Sequence, residues 1–275
     1  MAFSSYADDL VPGDANFLSD AYMRDLVSGT TRLVSVNHTG TGSGAGDSYA
    51  QRMTPDARFV AFQSEASDLV TNDFNDGYSD VFLRDMSSNV TELISVNLAG
   101  TGSGNDISLG AVVSADGRYV AFHSVATDLH PADTDGGLDV YVRDRVLGTN
   151  ILCSIATNHA NGGDDESFVP VISANGRVVV FRSYAANLTP GLDSEGANLF
   201  AYDIPSGQLQ LVSVNLAGIG GGNDSSYNQV VSADGRYVAF QSYANNLVPN
   251  DFNADNADVF VRDLVTGTTT LVSVR

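Results

Sequence analysis

The stretch Val-Val-Ser-Ala-Asp-Gly-Arg-Tyr-Val-Ala-Phe-Gln-Ser, residues 230–242, decides the fold because most of it recurs along the chain. The phenylalanine of its Tyr-Val-Ala-Phe phrase stands at positions 3, 62, 122, 181 and 240, spaced by 59 or 60 residues. Variants of Asp-Val-Phe-Val-Arg-Asp and of Leu-Val-Ser-Val follow with the same period. Each phrase is short, rich in Val, Phe and Tyr, and bounded by Gly, Asp or Asn, which is typical of β-strands and their turns.

Each repeat predicts four antiparallel strands, which we call a, b, c and d in chain order. They correspond to the phrases Val-Val-Ser, Val-Ala-Phe, Asp-Val-Phe-Val and Leu-Val-Ser-Val. Ala-Asp-Gly-Arg joins strand a to strand b, and Leu-Val-Thr-Gly-Thr joins c to d, with glycine where the turn needs a positive φ. Four such strands in a recurring unit indicate a β-propeller blade. The predicted fold is therefore an all-β, five-bladed β-propeller.

The repeat also resembles a known family. Residues 232–242, followed by Asp-Val-Phe-Val-Arg-Asp at 258–263, are similar to the TolB-like, WD-repeat-related propeller repeat of bacteria. The resemblance covers the whole chain and implies an extracytoplasmic protein, secreted or periplasmic. The family includes protein-docking platforms, polysaccharide-associated proteins and domains fused to enzymes, so the resemblance implies a fold more than an activity.

The blades are unequal, because the sequence begins at strand b of one repeat and ends with strand d of another. We expect a single domain, 1–275, with blades at about 2–36, 46–96, 105–156, 164–214 and 223–275. The N-terminal blade would lack its inner strand, which lies outside this sequence, is absent, or comes from another chain. An unpaired strand edge favours pairing with a second chain, so we expect a homodimer through the incomplete blade.

Charge excludes several classes of function. The 275 residues carry 33 acidic and 13 basic side chains, for a formal net charge of −20, and every basic residue is arginine. Without lysine there is no Walker-A ATPase, kinase, pyridoxal-phosphate enzyme or Ser-x-x-Lys nucleophile. Nucleic acid and anionic membranes would repel such a chain, and no apolar run approaches the roughly 18 residues of a membrane helix. We expect neither partner.

The loops between strands b and c concentrate oxygen ligands. In four of them, Asp-x-Asn or Asp-x-Asp begins eleven residues after the strand-b phenylalanine, and a further Asp follows. Alternating oxygen donors of this kind surround calcium in EF-hand loops. The corresponding loop of the fourth blade, 192–198, lacks the first and last Asp. The alternative is that these residues only cap tight turns. The predicted calcium ligands are Asp14, Asn16, Asp20, Asp73, Asn75, Asp80, Asp133, Asp135, Asp139, Asp251, Asn253 and Asp258.

The glycine-rich linkers between strands d and a each end in aspartate. These residues are spaced by 59 and are expected near the mouth of the central channel, where they could bind a ligand or a cation, act as paired carboxylates on a sugar, or cap the following strand. They are Asp47, Asp106, Asp165 and Asp224. Under the enzyme alternative, the catalytic residues would be Asp165, Glu166 and Asp106, because Glu166 departs from the repeat pattern.

Two sets of arginines also recur, one after the a–b turn and one in strand c, and we expect them to pair with aspartates between adjacent blades. The resulting interpretation is an extracytoplasmic, calcium-assisted binding or scaffold propeller that recognises protein or carbohydrate through its b–c loop face. The alternative is a polysaccharide-acting glycoside hydrolase or lyase that uses carboxylates at the channel mouth.

Overall fold

The computed structural model describes residues 1–75, 77–192, 196–251 and 256–274. Within these residues the chain forms nineteen β-strands and no helix, so none that could span a bilayer. The strands are β1 (Ala2–Ser5), β2 (Asp20–Arg24), β3 (Thr31–Leu33), β4 (Ser48–Met53), β5 (Phe59–Ser64), β6 (Asp80–Asp85), β7 (Val90–Leu93), β8 (Ser108–Val113), β9 (Tyr119–Ser124), β10 (Asp139–Asp144), β11 (Thr149–Leu152), β12 (Ser167–Ile172), β13 (Val178–Ser183), β14 (Asn198–Asp203), β15 (Gln208–Leu211), β16 (Ser226–Val231), β17 (Tyr237–Ser242), β18 (Asp258–Asp263) and β19 (Thr268–Leu271).

The strands form five sheets, numbered here in chain order. Sheet 1 has three strands, β1 to β3, and sheets 2 to 5 have four each: β4 to β7, β8 to β11, β12 to β15 and β16 to β19. Each four-stranded sheet contains strands a, b, c and d of one repeat, whereas sheet 1 begins at strand b. The five-bladed, all-β propeller is confirmed, as is the N-terminal blade without its inner strand.

Aromatic pairs between strands b and c form the centre of the sheets. In sheet 2, Phe62 lies opposite Phe82 in the strand register, and both side chains are fully buried. Their rings stack with centroids 5.5 Å apart, an arrangement that contributes roughly 1 kcal/mol beyond area burial. Equivalent stacked pairs in sheets 1, 4 and 5 are Phe3–Tyr22, Phe181–Phe200 and Phe240–Phe260. The recurring phenylalanine of the sequence is thus a buried core residue in sheets 2 to 5, whereas Phe3 of sheet 1 is half-buried.

The chain divides into two compact units. These comprise Met1–Gly136 with Val142–Ile151, and Gly137–Tyr141 with Leu152–Arg275. The first unit has a hydrophobic core that includes Val60, Phe62 and Leu69. The core of the second includes Leu199 and Phe240.

The a–b turn of sheet 3 requires glycine for two reasons. Gly117 has φ +73°, and a Cβ at this position would lie 2.4 Å from the Phe59 ring of sheet 2. The side chain of Asp116 accepts a hydrogen bond from the Ser114 hydroxyl at 2.6 Å and one from the Arg118 N–H at 3.0 Å. The Ala-Asp-Gly-Arg phrase therefore encodes both the turn and its close packing on the neighbouring sheet.

Strand d differs from its predicted position, because Leu-Val-Ser-Val mostly follows the strand rather than forming it. Strand β3 ends at Leu33. The Val34 N–H still donates to the Ala21 carbonyl at 2.8 Å, but the Ala21 N–H donates to the Ser35 hydroxyl at 3.0 Å. A side chain thus replaces the backbone acceptor, and the strand ladder stops there.

The prediction of arginine–aspartate pairs between blades is wrong for the arginines that follow the a–b turn. Arg58 bonds Asp85 at 2.9 Å, and both residues belong to sheet 2. Because the a–b turn and the end of strand c lie side by side in one antiparallel sheet, the shortest pairing is within the blade. The equivalent pairs are Arg118–Asp144, Arg177–Asp203 and Arg236–Asp263.

The b–c loops pack on the d–a linkers. In sheet 1, the Asn16 amide donates to the Gly44 carbonyl at 2.8 Å, and the Ser43 N–H donates to the Gly13 carbonyl at 3.2 Å. In sheet 2, the Asn75 amide likewise donates to the Gly104 carbonyl at 2.8 Å. The two groups of sequence-predicted site residues therefore share one side of these sheets.

Candidate functional site

A serine after strand d holds the first residue of strand c in every sheet. In sheet 2, the Ser95 hydroxyl donates to Asp80 Oδ1 at 2.6 Å and accepts from the Val81 N–H at 3.1 Å. The Ser35 hydroxyl makes the same contacts with Asp20 and Ala21 at 2.6 and 3.0 Å. The other pairs are Ser154–Asp139, Ser213–Asn198 and Ser273–Asp258. We call this arrangement the serine clasp. In sheet 2 it fixes Asp80 Oδ1 and leaves Asp80 Oδ2 without a hydrogen-bond partner among the described residues.

In the b–c loop of sheet 2, buried side-chain oxygens lack hydrogen-bond partners among the described residues. Asp80 is fully buried, and among the described residues neither its Oδ2 nor Asn75 Oδ1 has a hydrogen-bond partner. Burial raises the pKa of Asp80 to about 7, and the nearby Asp73 carboxylate adds to the rise. The hydrogen bond from the Ser95 hydroxyl opposes the rise most strongly, and the Asn75 amide group adds a smaller opposing effect. Asp73, Asn75 and Asp80 are therefore brought together, as the sequence predicts.

The sheet 3 loop gathers three carboxylates. One oxygen from each of Asp133, Asp135 and Asp139 lies within 4.8 Å of the others. Asp133 and Asp139 are buried and Asp135 is exposed. In the part of the chain that the structure describes, this is the only group of three acidic, histidine or cysteine side chains with metal-binding spacing.

In sheet 1, protein donors bond the candidate ligands of the b–c loop. The Tyr22 hydroxyl donates to Asp14, and the Ser43 hydroxyl donates to Asp14 Oδ1 at 3.3 Å. Asn16 Oδ1 accepts the Leu18 N–H at 3.0 Å. Burial raises the pKa of Asp20 to about 6, assisted by the Asp14 charge. Asp14, Asn16 and Asp20 lie together, but protein groups already occupy oxygens of the first two.

The other two loops show a contrast. In sheet 5, Asp258 Oδ2 and Asp251 Oδ1 are buried without a partner among the described residues, while Asn253 lies outside them. In sheet 4, Asn198 replaces the aspartate. Its oxygen accepts from Ser213 at 2.8 Å, and its amide donates to the Gly196 carbonyl at 3.3 Å. Both polar groups of the Asn198 side chain thus have protein hydrogen-bond partners and need no cation. This agrees with the loss of the first and last Asp from the sequence of this loop.

Three of the linker aspartates act as local caps, whereas Asp47 bonds the b–c loop of sheet 1. Asp47 Oδ1 accepts the Ser19 N–H at 2.7 Å. In the other three linkers, the aspartate accepts the N–H of the next residue at 2.6 to 2.8 Å; these residues are Asp106, Asp165 and Asp224. Asp165 and Glu166 are both exposed. No described group of three or more of these carboxylates reaches metal-binding spacing.

Sequence reasoning missed the serines and Tyr22. The serine had a signal, because it is the invariant third residue of the Leu-Val-Ser-Val phrase. Tyr22 also had one, since sheets 2, 4 and 5 have phenylalanine at its position in strand c. Neither signal reveals which carboxylate oxygen the hydroxyl would contact.

Comparison with known proteins identifies the fold. No protein-family model and no curated protein matches this sequence. TolB from Acinetobacter baumannii is similar in structure, with 16% identity and a TM-score of 0.50 over 98% of this chain and 51% of that one, so this chain spans about half its length. The tricorn protease gives 13% identity and a TM-score of 0.53 over 92% of this chain and 24% of that one.

The propeller domain of the Trilobed protease from Pyrococcus furiosus gives 10% identity and a TM-score of 0.51, over 90% of this chain and 61% of that one. At such identities the likeness establishes the fold alone. The resemblance to TolB-like propellers is confirmed at that level.

Proposed function

We propose that this TolB-like propeller is an extracytoplasmic, secreted or periplasmic binding or scaffold module whose b–c loops are ordered by calcium. Its ligand is a protein or a carbohydrate, held on the b–c loop face. The observation that carries the proposal is the set of buried, unbonded oxygens in the sheet 2 loop. The repetition of their residue types in other loops supports it.

The donor set fits a hard cation. Asp80 Oδ2 and Asn75 Oδ1 are buried oxygens that lack donors among the described residues, and such burial is costly unless something compensates it. Calcium accepts six to eight oxygen ligands from carboxylates, amides and waters. Asp73, Asn75 and Asp80 would hold it in sheet 2, and Asp133, Asp135 and Asp139 in sheet 3. Bound calcium would cross-link each loop to the start of strand c.

The same loops expose aromatic side chains. Phe74 is 70% exposed and Phe17 is 79% exposed, beside the candidate ligands of sheets 2 and 1. Apolar rings at loop tips are unfavourable in water and favourable in contact with a partner surface or a sugar face. A loop tied at its base by a cation would present these rings in one conformation, which lowers the entropy cost of binding.

Calcium titration tests the proposal. After treatment with a chelator, we expect millimolar calcium to raise the melting temperature, and excess chelator to reverse the rise, because a ligand that binds only the folded state stabilises it. Calorimetry on Asp80→Asn should count one site fewer than on the unmodified chain. Asn is tolerated at this position of sheet 4, where Asn198 keeps its serine clasp.

Asp9→Asn is the matched control, since Asp9 is exposed and the substitution removes the same charge. It should leave the number of sites unchanged. A melting temperature that does not respond to calcium, or equal responses to calcium and to the same ionic strength of sodium chloride, would contradict the proposal.

The enzyme alternative remains a separate prediction. Asp165 and Glu166 are exposed, whereas a general acid usually needs a desolvated carboxyl group. Turnover of a polysaccharide in a reducing-sugar assay, lost in Asp165→Asn, would support that alternative. Binding on a glycan array without turnover would support the binding module.

A further inference from the structure

A cavity of about 760 Å³ lies beside the outer strand of sheet 2. We call it the Arg84 cavity. Its walls include four aliphatic side chains, Leu69, Val70, Leu93 and Val96, together with the polar groups of Asn72 and Thr91. The volume falls within the range of about 300 to 1,000 Å³ typical of small-ligand sites.

Two arginines line this cavity. Arg84, in strand c of sheet 2, is only 8% exposed, and its Nη1 donates to Thr91 Oγ1 at 2.9 Å. Arg143, in strand c of sheet 3, donates to Asn150 Oδ1 at 3.2 Å. Among the described residues, neither Nε has a hydrogen-bond partner and neither arginine forms an ion pair. A guanidinium buried without a countercharge is costly, so an anion would be stabilising here.

The neighbouring acids are already neutralised by other arginines. The pairs are Asp85–Arg58 at 2.9 Å, Asp144–Arg118 at 2.7 Å and Glu92–Arg145 at 2.6 Å. Arg32 adds a further positive charge near Arg84. Glu92 itself lies in the cavity wall, but its charge is paired with Arg145, so Arg84 and Arg143 leave the cavity locally cationic in a chain whose net charge is −20.

The equivalent positions of the other repeats differ from those of the Arg84 cavity. Sheet 5 has an equivalent but smaller cavity of about 350 Å³ around Arg262, whose Nη1 donates to Thr269 Oγ1 at 3.0 Å. In sheet 3, the Asn150 amide replaces the threonine and donates to the Val96 and Leu129 carbonyls at 2.7 and 3.1 Å. In sheet 4, Tyr202 replaces the arginine. The Arg84 cavity is the larger of these two described cavities, and two arginines line it, whereas one arginine lines the cavity of sheet 5.

We propose that the Arg84 cavity binds the carboxy terminus of a peptide that ends in an aliphatic residue. Arginine recognises a carboxylate through two parallel hydrogen bonds, and Asn72 and Thr91 can bond the peptide backbone. The aliphatic walls suit the last side chain. The described lining contains no Phe, Tyr or Trp on which a sugar acid would stack; its one ring is the His38 imidazole. The cavity shares Asn72 with the b–c loop of sheet 2, next to the candidate calcium ligand Asp73, but both arginines lie in strands outside that loop. The proposed contacts to the peptide need no calcium.

Fluorescence anisotropy with labelled peptides tests the site, in a chelator-containing buffer so that the result is independent of calcium. The probes are a pool of N-terminally labelled tetrapeptides ending in Leu, Val or Ile as free acids, and the same pool as carboxy-terminal amides. We expect saturable binding of the acids and at least tenfold weaker binding of the amides. Equal binding of both pools, or displacement by glucuronate but not by unlabelled acid peptide, would overturn the proposal.

Variants locate the binding. Arg84→Gln and Arg143→Gln should each weaken acid-peptide binding at least tenfold. Arg143 is the less buried of the two, so its variant remains informative if the loss of Arg84 disturbs folding. Arg24→Gln is the control, because Arg24 occupies the same strand position in sheet 1, donates to Thr31 at 2.7 Å and is exposed. Normal binding by a folded Arg143→Gln variant would overturn the assignment.

Discussion

Val169 has a backbone conformation that β-branched residues rarely adopt. Its φ is +53°, within an irregularity where the register of β12 shifts between Phe168 and Val171. Sheets 3 and 5 have Gly110 and Asn228 at the same position, also with positive φ. Glycine and asparagine tolerate this region, whereas valine is strained in it. Sheet 4 thus has a local backbone strain at Val169 that glycine and asparagine avoid at the equivalent positions of sheets 3 and 5.

Val169→Asn is expected to stabilise the protein by about 1 kcal/mol, because it places in sheet 4 the residue that sheet 5 already uses. For a chain of this size, the melting temperature should rise by about 2 °C. Val169 is 52% exposed, so the change removes little packing. Val230→Asn is the control, since Val230 is 60% exposed in a strand with ordinary φ, and it should lower the melting temperature. A lower melting temperature for Val169→Asn would contradict the strain argument.

Individual site residues were predictable only in part. The repeated offset from the strand-b phenylalanine located Asp73, Asn75 and Asp80, because a strict period places equivalent residues in equivalent loops. It could not reveal the Tyr22 contact with Asp14, since that depends on one hydroxyl reaching across a folded sheet. The calcium assignment itself stays a prediction.

At the scale of the element, the a–b turn is tied to the end of strand c by an ion pair in four sheets. The Arg58 guanidinium holds the pKa of Asp85 well below its usual value of 3.8. Because that pKa is lower in the folded than in the unfolded chain, Asp85 stabilises the fold above about pH 4. The contribution is lost as the pH falls through the folded pKa.

Acid unfolding of Asp85→Asn tests whether the ion pair stabilises the fold at higher pH and loses its contribution in acid. The melting temperature of the unmodified chain should fall between pH 5 and pH 2. The variant should melt lower at pH 5 and should lose less on acidification, since one of the four turn pairs is already absent. Asp9→Asn should keep the full acid-induced fall. An unchanged acid response in Asp85→Asn would show that the ion pair contributes nothing, as exposed pairs sometimes do.

Element boundaries were less predictable than element identity. Alternating apolar residues marked strands b and c well, because both are buried in the middle of each sheet. Strand d was placed too late, since Val-Ser-Val looks like a strand although its serine bonds strand c through its side chain. Composition cannot distinguish a serine that continues a ladder from one that ends it.

At the scale of the whole molecule, the period of 59 or 60 residues was enough to predict five sheets and the short first one. Such a period requires each unit to bury its apolar faces against like units, which few folds allow. The fold does not identify a ligand, because propellers carry many activities. A ligand is therefore to be sought at individual side chains, such as those of the Arg84 cavity, rather than in the fold.

The incomplete first sheet leads to the last prediction. Strand β1 is the edge strand of sheet 1 on the side where strand a is missing, and it pairs with β2 through the register Ala2↔Met23 to Ser5↔Asp20. Because its other edge has no strand partner in the described sheet, we expect pairing with a second copy at high protein concentration. Light scattering should show a mass that rises toward a dimer, and Ser4→Lys should suppress the rise by placing a charge at the exposed position of β1. Val27→Lys, at a 99% exposed turn position, should dimerise like the unmodified chain. A monomeric mass at every concentration would contradict the prediction, and equal suppression by both variants would attribute association to net charge rather than to the β1 edge.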